Sequence, residues 1–131
     1  MTSKPLQVLF VGGTGTISAS CARSAVARGM GVTVLNRARS ELRPLPPEVE
    51  RLTGDVKDPL SLKAAIGARD FDVVVNFLCY SAADARGALG TFRGRTGHYL
   101  HISTAMVYQK PPRGMPYRES TERRNPFSQY A

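Results

Sequence analysis

The 131-residue sequence has no tryptophan, two histidines, two cysteines and, in its first 40 residues, not one acidic side chain. Cys21 and Cys79 stand alone, without Cys-x-x-Cys or Cys/His ligand spacing. Neither a disulfide framework nor a metal site is supported, and both thiols read as small buried hydrophobes. No apolar run approaches the roughly 20 residues of a membrane span. The N-terminal "PLQVLFV" is cut off at Gly12 and Gly13, too early for a secretory signal. A cytoplasmic protein with no membrane partner is expected. Low-complexity tracts and internal repeats are also missing, so a single globular domain is expected, one that buries roughly two thirds of its surface.

What is plentiful is arginine. Fourteen Arg and four Lys against ten acids give a formal net charge of +8, enough to raise nucleic acid as a partner. The positive residues are scattered, however. Five lie in residues 1 to 40, and Lys110, Arg113, Arg118, Arg123 and Arg124 dot a proline-rich stretch. No basic run alternates with exposed aromatics, as a platform for stacked bases would require. An anionic small molecule and a solvated surface account for the charge better, and nucleic acid is not the expected partner.

The apolar pattern predicts strands at 6 to 11, 31 to 36, 51 to 54, 71 to 79 and 98 to 103. Helices are expected between them. One runs from Thr16 to Arg28, burying Ile17, Cys21, Ala22, Ala25 and Val26. A second has Asp58 as N-cap, Pro59 at its first position and Gly67 as terminator. The third, "SAADARGALGTF", is short and broken by its glycines. This alternation forces right-handed crossovers, hence an α/β, doubly wound parallel sheet with helices on both faces. Ligands of such sheets bind at the carboxyl ends of the strands. Here those ends are Gly12 to Gly15, Asn36 and Arg37, Asp55 and Val56, Leu78 and Cys79, and Ser103 and Thr104.

"LFVGGTGTIS" sits at the first of these ends. Gly12 and Gly13 let the chain turn sharply, and Gly15 offers no side chain to block a pyrophosphate from the helix N-terminus, where N–H groups and the helix dipole face an anion. Ser18, where a third glycine is often found, is small enough for the helix to pack close to the sheet. A plain strand-to-helix turn is the alternative.

"GGTGTIS", "DV" at 55 and 56, "FDVVVNFLC", "ISTAMVYQ" and Tyr130, in this order and spacing, resemble the N-terminal half of an extended or atypical short-chain dehydrogenase/reductase of the NAD-dependent epimerase/dehydratase kind. The resemblance covers nearly the whole chain. It implies a nucleotide-binding Rossmann fold, C-terminally incomplete, with residues 1 to 131 forming an NAD(P)-binding domain that ends before the last strands and the substrate-binding region. By the same resemblance Gly12, Gly15, Thr16 and Ile17 wrap the pyrophosphate. Asp55 accepts from the adenine amino group with Val56 beneath the ring, and Phe77, Leu78 and Cys79 run along the cofactor. Asp55 as a turn residue and Phe77 with Leu78 as core are the alternatives.

Cofactor choice is read at "VLNRAR". Asn36 cannot repel a 2′-phosphate, and Arg37 and Arg39 can pair with one, which favours NADP over NAD. The resemblance also assigns Thr104 to hold a substrate oxygen and Tyr130 to act as general acid or base, with Tyr108 shaping the pocket. A phenol, with a pKa of about 10, needs a nearby cation to work near neutrality. The family's lysine would fall four positions after Tyr130, past Ala131, so little turnover is expected of this chain alone. The short stretch between Cys79 and Thr104 leaves dimerisation and oligomeric state open. The function implied is that of an oxidoreductase, epimerase or dehydratase acting by hydride transfer on a sugar nucleotide or similar small molecule. Two rivals are non-catalytic: an atypical relative that binds RNA, and one that senses NADP.

Overall fold

The computed structural model describes residues 4–37 and 43–126. Five strands, β1 (Gln7–Val11), β2 (Gly31–Asn36), β3 (Glu50–Thr53), β4 (Phe71–Asn76) and β5 (Thr96–His101), form one parallel sheet in the order β3-β2-β1-β4-β5. Helices α1 (Thr16–Ala27), α2 (Pro59–Ile66) and α3 (Ala82–Phe92) connect them, and a 3-10 turn, Ala105–Val107, follows β5. The fold is the doubly wound α/β fold that the alternation predicts. On one face α1 packs Ala19, Ala22 and Ala25 against Val8, Phe10, Val32 and Val34. On the other, Leu62 and Ile66 of α2 and Ala88 and Phe92 of α3 cover Leu9, Val11, Leu35 and Val74.

The strands end level with one another. Val11 stands opposite Leu35 and Asn76, Asn36 opposite Thr53, and Asn76 opposite His101. One further bond at each end extends the ladder: the N–H groups of Gly12, Gly54, Phe77 and Ile102 donate to the carbonyls of Leu35, Asn36, Val11 and Asn76 at 2.9 to 3.0 Å. The loops after all five strands therefore open on the same edge of the sheet.

Helix α2 starts and stops for the expected reasons. The Asp58 side chain accepts from the Leu60 N–H at 3.0 Å, Pro59 occupies the first helical position, and Gly67 closes the helix at φ +61°. Elsewhere the structure corrects the sequence reading. β5 lies two residues earlier than expected, so Ser103 and Thr104 follow the strand rather than end it. β4 stops at Asn76, not Cys79, because the Asn76 side chain takes over the Leu78 N–H that a longer strand would need. α3 runs unbroken through Gly87 and Gly90; Ala88, Thr91 and Phe92 bury its sheet face, and Thr91 Oγ1 donates to the Gly87 carbonyl at 3.0 Å. In α1 the buried line is Ser18, Ala19, Ala22 and Ala25, small residues that let the helix lie close to the sheet. Ile17 is 66% exposed and Cys21 is exposed, so neither is core.

Candidate functional site

The β1–α1 turn is built from glycines with three different jobs. Gly12 has φ +87°, and a side chain there would strike Leu78 Cγ at 2.5 Å. Gly13 is buried, and a Cβ on it would sit 2.5 Å from both γ-carbons of Val34. Gly15 alone is open: a Cβ there would meet only Ser18 Oγ, at 3.3 Å. The turn is held by Ser18, which is 3% exposed. Its Oγ accepts from the Gly15 N–H at 2.9 Å and donates to the Gly15 carbonyl at 3.4 Å. Ser18 thus caps α1 as well as sparing space. The N–H groups of Thr16 and Ile17, in the first turn, have no i−4 carbonyl to bond, and no acidic residue competes for them.

This turn forms one end of a cleft of about 580 Å³. Of the residues expected to hold a cofactor, Gly12, Gly15, Thr16, Ile17, Asn36, Arg37, Asp55, Val56, Phe77 and Leu78 line it together. Cys79 does not; it lines a second, adjoining cleft of about 900 Å³ with Thr104. Ile17, Phe77 and Tyr80 belong to both. Arg39 and Tyr130 lie outside the described residues.

Asp55 is partly committed to its turn. Its Oδ1 accepts from the Lys57 N–H at 2.9 Å and its own N–H donates to Ser61 Oγ at 3.0 Å, while Oδ2 has no partner among the described residues. Phe77 stacks on Phe10, ring centroids 5.9 Å apart, so it is packed against the core and lines the cleft at once.

Sequence reasoning missed Asn76, Tyr80, Tyr99 and Lys57. Asn76 is 1% exposed. Its Oδ1 accepts from the Leu78 N–H at 2.9 Å, and since that N–H can only donate, the amide orientation is settled. Nδ2 therefore donates to Tyr99 Oη, at 3.0 Å. One buried amide thereby ties the wall of the first cleft to β5, which carries the second. The Tyr99 phenol is pushed above its ordinary pKa by burial, and its own proton has no acceptor among the described residues. Burial, with Asp84 nearby, raises the Cys79 thiol as well, so it stays protonated at neutral pH. Tyr80 and Lys57 face each other from neighbouring loops, the ammonium 6.0 Å from the ring centre. The legible signal was Asn76 itself, a polar residue ending the most apolar strand.

Thr104 is exposed, and its Oγ1 accepts from the Met106 N–H at 3.2 Å. That leaves its own hydroxyl proton to donate into the second cleft. The basic stretch after it is not a stacking platform. Tyr108 and Tyr117 stack on each other at 5.0 Å, and Lys110 lies 4.7 Å over the Tyr117 ring and also donates to its hydroxyl. Among the described residues no His/Cys/Asp/Glu cluster suits a metal ion, and no helix is long and apolar enough to cross a membrane.

A parallel doubly wound sheet with a glycine turn and cleft at its carboxyl edge is a Rossmann-like architecture, in which ligands bind outside the ends of the strands. Solved structures agree at the level of fold. The chain is similar to the Bordetella bronchiseptica enzyme WbmH in complex with NAD+ (TM-score 0.78, 19% identity, covering 97% of this chain and 49% of that one). It is similar also to a dTDP-glucose 4,6-dehydratase from Bacillus anthracis in complex with NAD (0.74, 18%, 95% and 46%). A third is UDP-glucose 4-epimerase from Bifidobacterium longum in complex with NAD+ and UDP (0.70, 19%, 89% and 42%). The chain spans about half the length of these structures and matches their N-terminal half. No protein-family model matches the sequence, and no curated protein does.

Proposed function

We propose that residues 1–131 are the cofactor-binding domain of an NAD(P)-dependent enzyme of the epimerase/dehydratase type, within the short-chain dehydrogenase/reductases, acting on a sugar nucleotide or a similar small molecule. The observation that carries this reading is the open face of Gly15 at the start of α1, whose first N–H groups, on Thr16 and Ile17, have no partner within the helix, at the end of a cleft with Asp55 in its wall. A Cβ at Gly15 would occupy the surface that a pyrophosphate must approach. Solved neighbours of the same fold were found with NAD+ and, in two cases, UDP, which supports a nucleotide reading.

In this reading Thr16 and Ile17 hold the pyrophosphate through their N–H groups, Asp55 Oδ2 accepts from the adenine, and Val56 lies beneath it. Phe77 and Leu78 exclude water from the middle of the cleft, where the first cleft meets the second. A bound nicotinamide supplies the hydride donor or acceptor. Thr104 donates its hydroxyl proton to a substrate oxygen, an orientation favoured by the Met106 N–H it already accepts. Tyr130 takes or gives the proton. The neighbours' NAD+ lends no support to NADP; that preference rests on Asn36, which carries no charge against a 2′-phosphate, and on Arg37 at the cleft wall.

Isothermal titration calorimetry of the chain with NADH and NADPH tests the proposal. Saturable binding of either, tighter for NADPH, is expected. No heat with both, on protein shown to be folded by circular dichroism, would overturn it, and tighter binding of NADH would overturn the NADP preference alone.

A further inference from the structure

We infer that Arg43, at the rim of the first cleft beside Thr16, is a phosphate-binding residue that reaches the pyrophosphate bridge of a dinucleotide at the start of α1. The inference rests on the dinucleotide reading but names a residue that neither motif nor spacing marks.

Arg43 belongs to the connection between β2 and β3, six positions past Arg37. Its Nη2 donates to Thr16 Oγ1 at 3.3 Å. Thr16 is the first residue of α1 and lines the cleft, so the guanidinium stands at the helix N-terminus. It is delivered there by a segment that is itself anchored. Arg23, two turns further along α1, donates through Nη1 to the Pro44 carbonyl at 3.2 Å and through Nη2 to Ser20 Oγ at 3.1 Å. Leu45, 8% exposed, is buried among Ala19, Ala22 and Val34. Pro44 and Leu45 thus hold the chain beside α1, and the exposed Arg43 side chain reaches from there to Thr16.

The chemistry suits an anion. A bridging pyrophosphate carries two negative charges, more than the half-charge that a helix end offers. A planar guanidinium with donors to spare beyond Thr16 completes the neutralisation and fits two phosphate oxygens at once. Of the described residues lining the cleft only Asp55 is acidic. The bland alternative is a surface staple between Arg43 and Thr16, which would matter to stability and not to ligands.

Calorimetry of wild type, Arg43→Gln, Arg43→Lys and Arg37→Gln with NADH, NADPH, ADP and adenosine separates these. Arg43→Gln is expected to weaken NADH, NADPH and ADP by about the same factor, roughly tenfold for one charge-assisted contact. It should leave adenosine and the melting temperature unchanged, with Arg43→Lys recovering part of the loss. Arg37→Gln should weaken NADPH only. Unchanged affinities in Arg43→Gln overturn the inference, and a loss confined to NADPH overturns the assignment to the bridge. If wild type binds none of the probes, the dinucleotide reading falls and this inference with it; if wild type binds and Arg43→Gln binds equally, only this inference falls.

Discussion

The two clefts share Ile17, Phe77 and Tyr80 yet are made of different material. The first is centred on backbone, a glycine turn and the N–H groups of a helix end, with loops that leave β1, β2, β3 and β4 completing its wall. It is braced by β1, whose last four residues are buried. The second is made of side chains, Thr104, His101, Tyr99 and Cys79, around β5, an edge strand with no fully buried residue. Leu100 and Ile102 remain 40% and 39% exposed there. A site of backbone groups depends on residues being absent, so its defining mutations add atoms. A side-chain site depends on residues being present and held, and its defining mutations remove them.

The sharpest way to break this contrast is to add the same side chain at two glycines two positions apart. Gly13→Val drives a Cβ into Val34 and is expected to cost about 3 kcal/mol of stability by overpacking. A Cβ at Gly15 meets only Ser18 Oγ, at 3.3 Å, and Gly15→Val should lower stability by only about 1 kcal/mol through a poorer N-cap. It should nonetheless weaken NADPH roughly a hundredfold, because the added carbons stand where the pyrophosphate approaches. Urea denaturation and calorimetry on both variants check the pair. Equal stability losses, or an unaffected NADPH affinity in Gly15→Val, would remove the distinction.

Next in size is the amide that joins the two clefts. Asn76→Ala strips the Leu78 N–H and the Tyr99 hydroxyl of their partner and leaves a void, an expected loss of about 2 kcal/mol. Tyr99→Phe leaves only Asn76 Nδ2 unpaired and should cost about 1 kcal/mol. Urea denaturation of both variants checks the order. If the two losses come out reversed, Asn76 is not the hub.

How far the site was legible follows the same division. The backbone-made cleft was readable because glycines, the N-cap Asp58 and Pro59 announce conformation directly. What they did not announce was the separate reason for each glycine: Gly13 is required by Val34 on another strand, a contact no local pattern contains. The end of β4 was misjudged because apolar continuity through "FLC" says strand, while one buried asparagine side chain says stop. α3 was misjudged because glycine's propensity, a cost of about 1 kcal/mol, is outweighed by burial of Phe92 and Ala88. Arg43 was invisible for the same physical reason as Gly13, since its partner Thr16 is 27 positions away.

A smaller effect separates the two thiols. Cys21 is exposed on α1, whereas Cys79 is half-buried with its thiol raised by burial and by Asp84. Reaction with a thiol reagent, followed by mass spectrometry, should label Cys21 about tenfold faster than Cys79 at neutral pH, with the gap narrowing as pH rises and the Cys79 thiolate forms. Equal rates at neutral pH would show that the second cleft does not shield its thiol.

The smallest expected effect tests the loop that both clefts share. Asp84, in the first turn of α3, accepts from the Tyr80 N–H at 3.0 Å, and this bond, aided by Ser81 and Lys57, holds its carboxyl below the ordinary carboxylate range against a modest desolvation. A depressed folded-state pKa means stability that is present above the ordinary value of about 4 and is lost as pH falls through the folded value. The group is partly exposed, so solvent screening keeps the contribution below about 1 kcal/mol. Asp84→Asn keeps an acceptor for Tyr80 but carries no charge to lose. Melting temperatures at pH 7 and pH 3 should therefore fall less steeply in the variant than in wild type. Parallel falls would mean that Tyr80 owes its place between the clefts to Lys57 and packing, and not to the carboxylate.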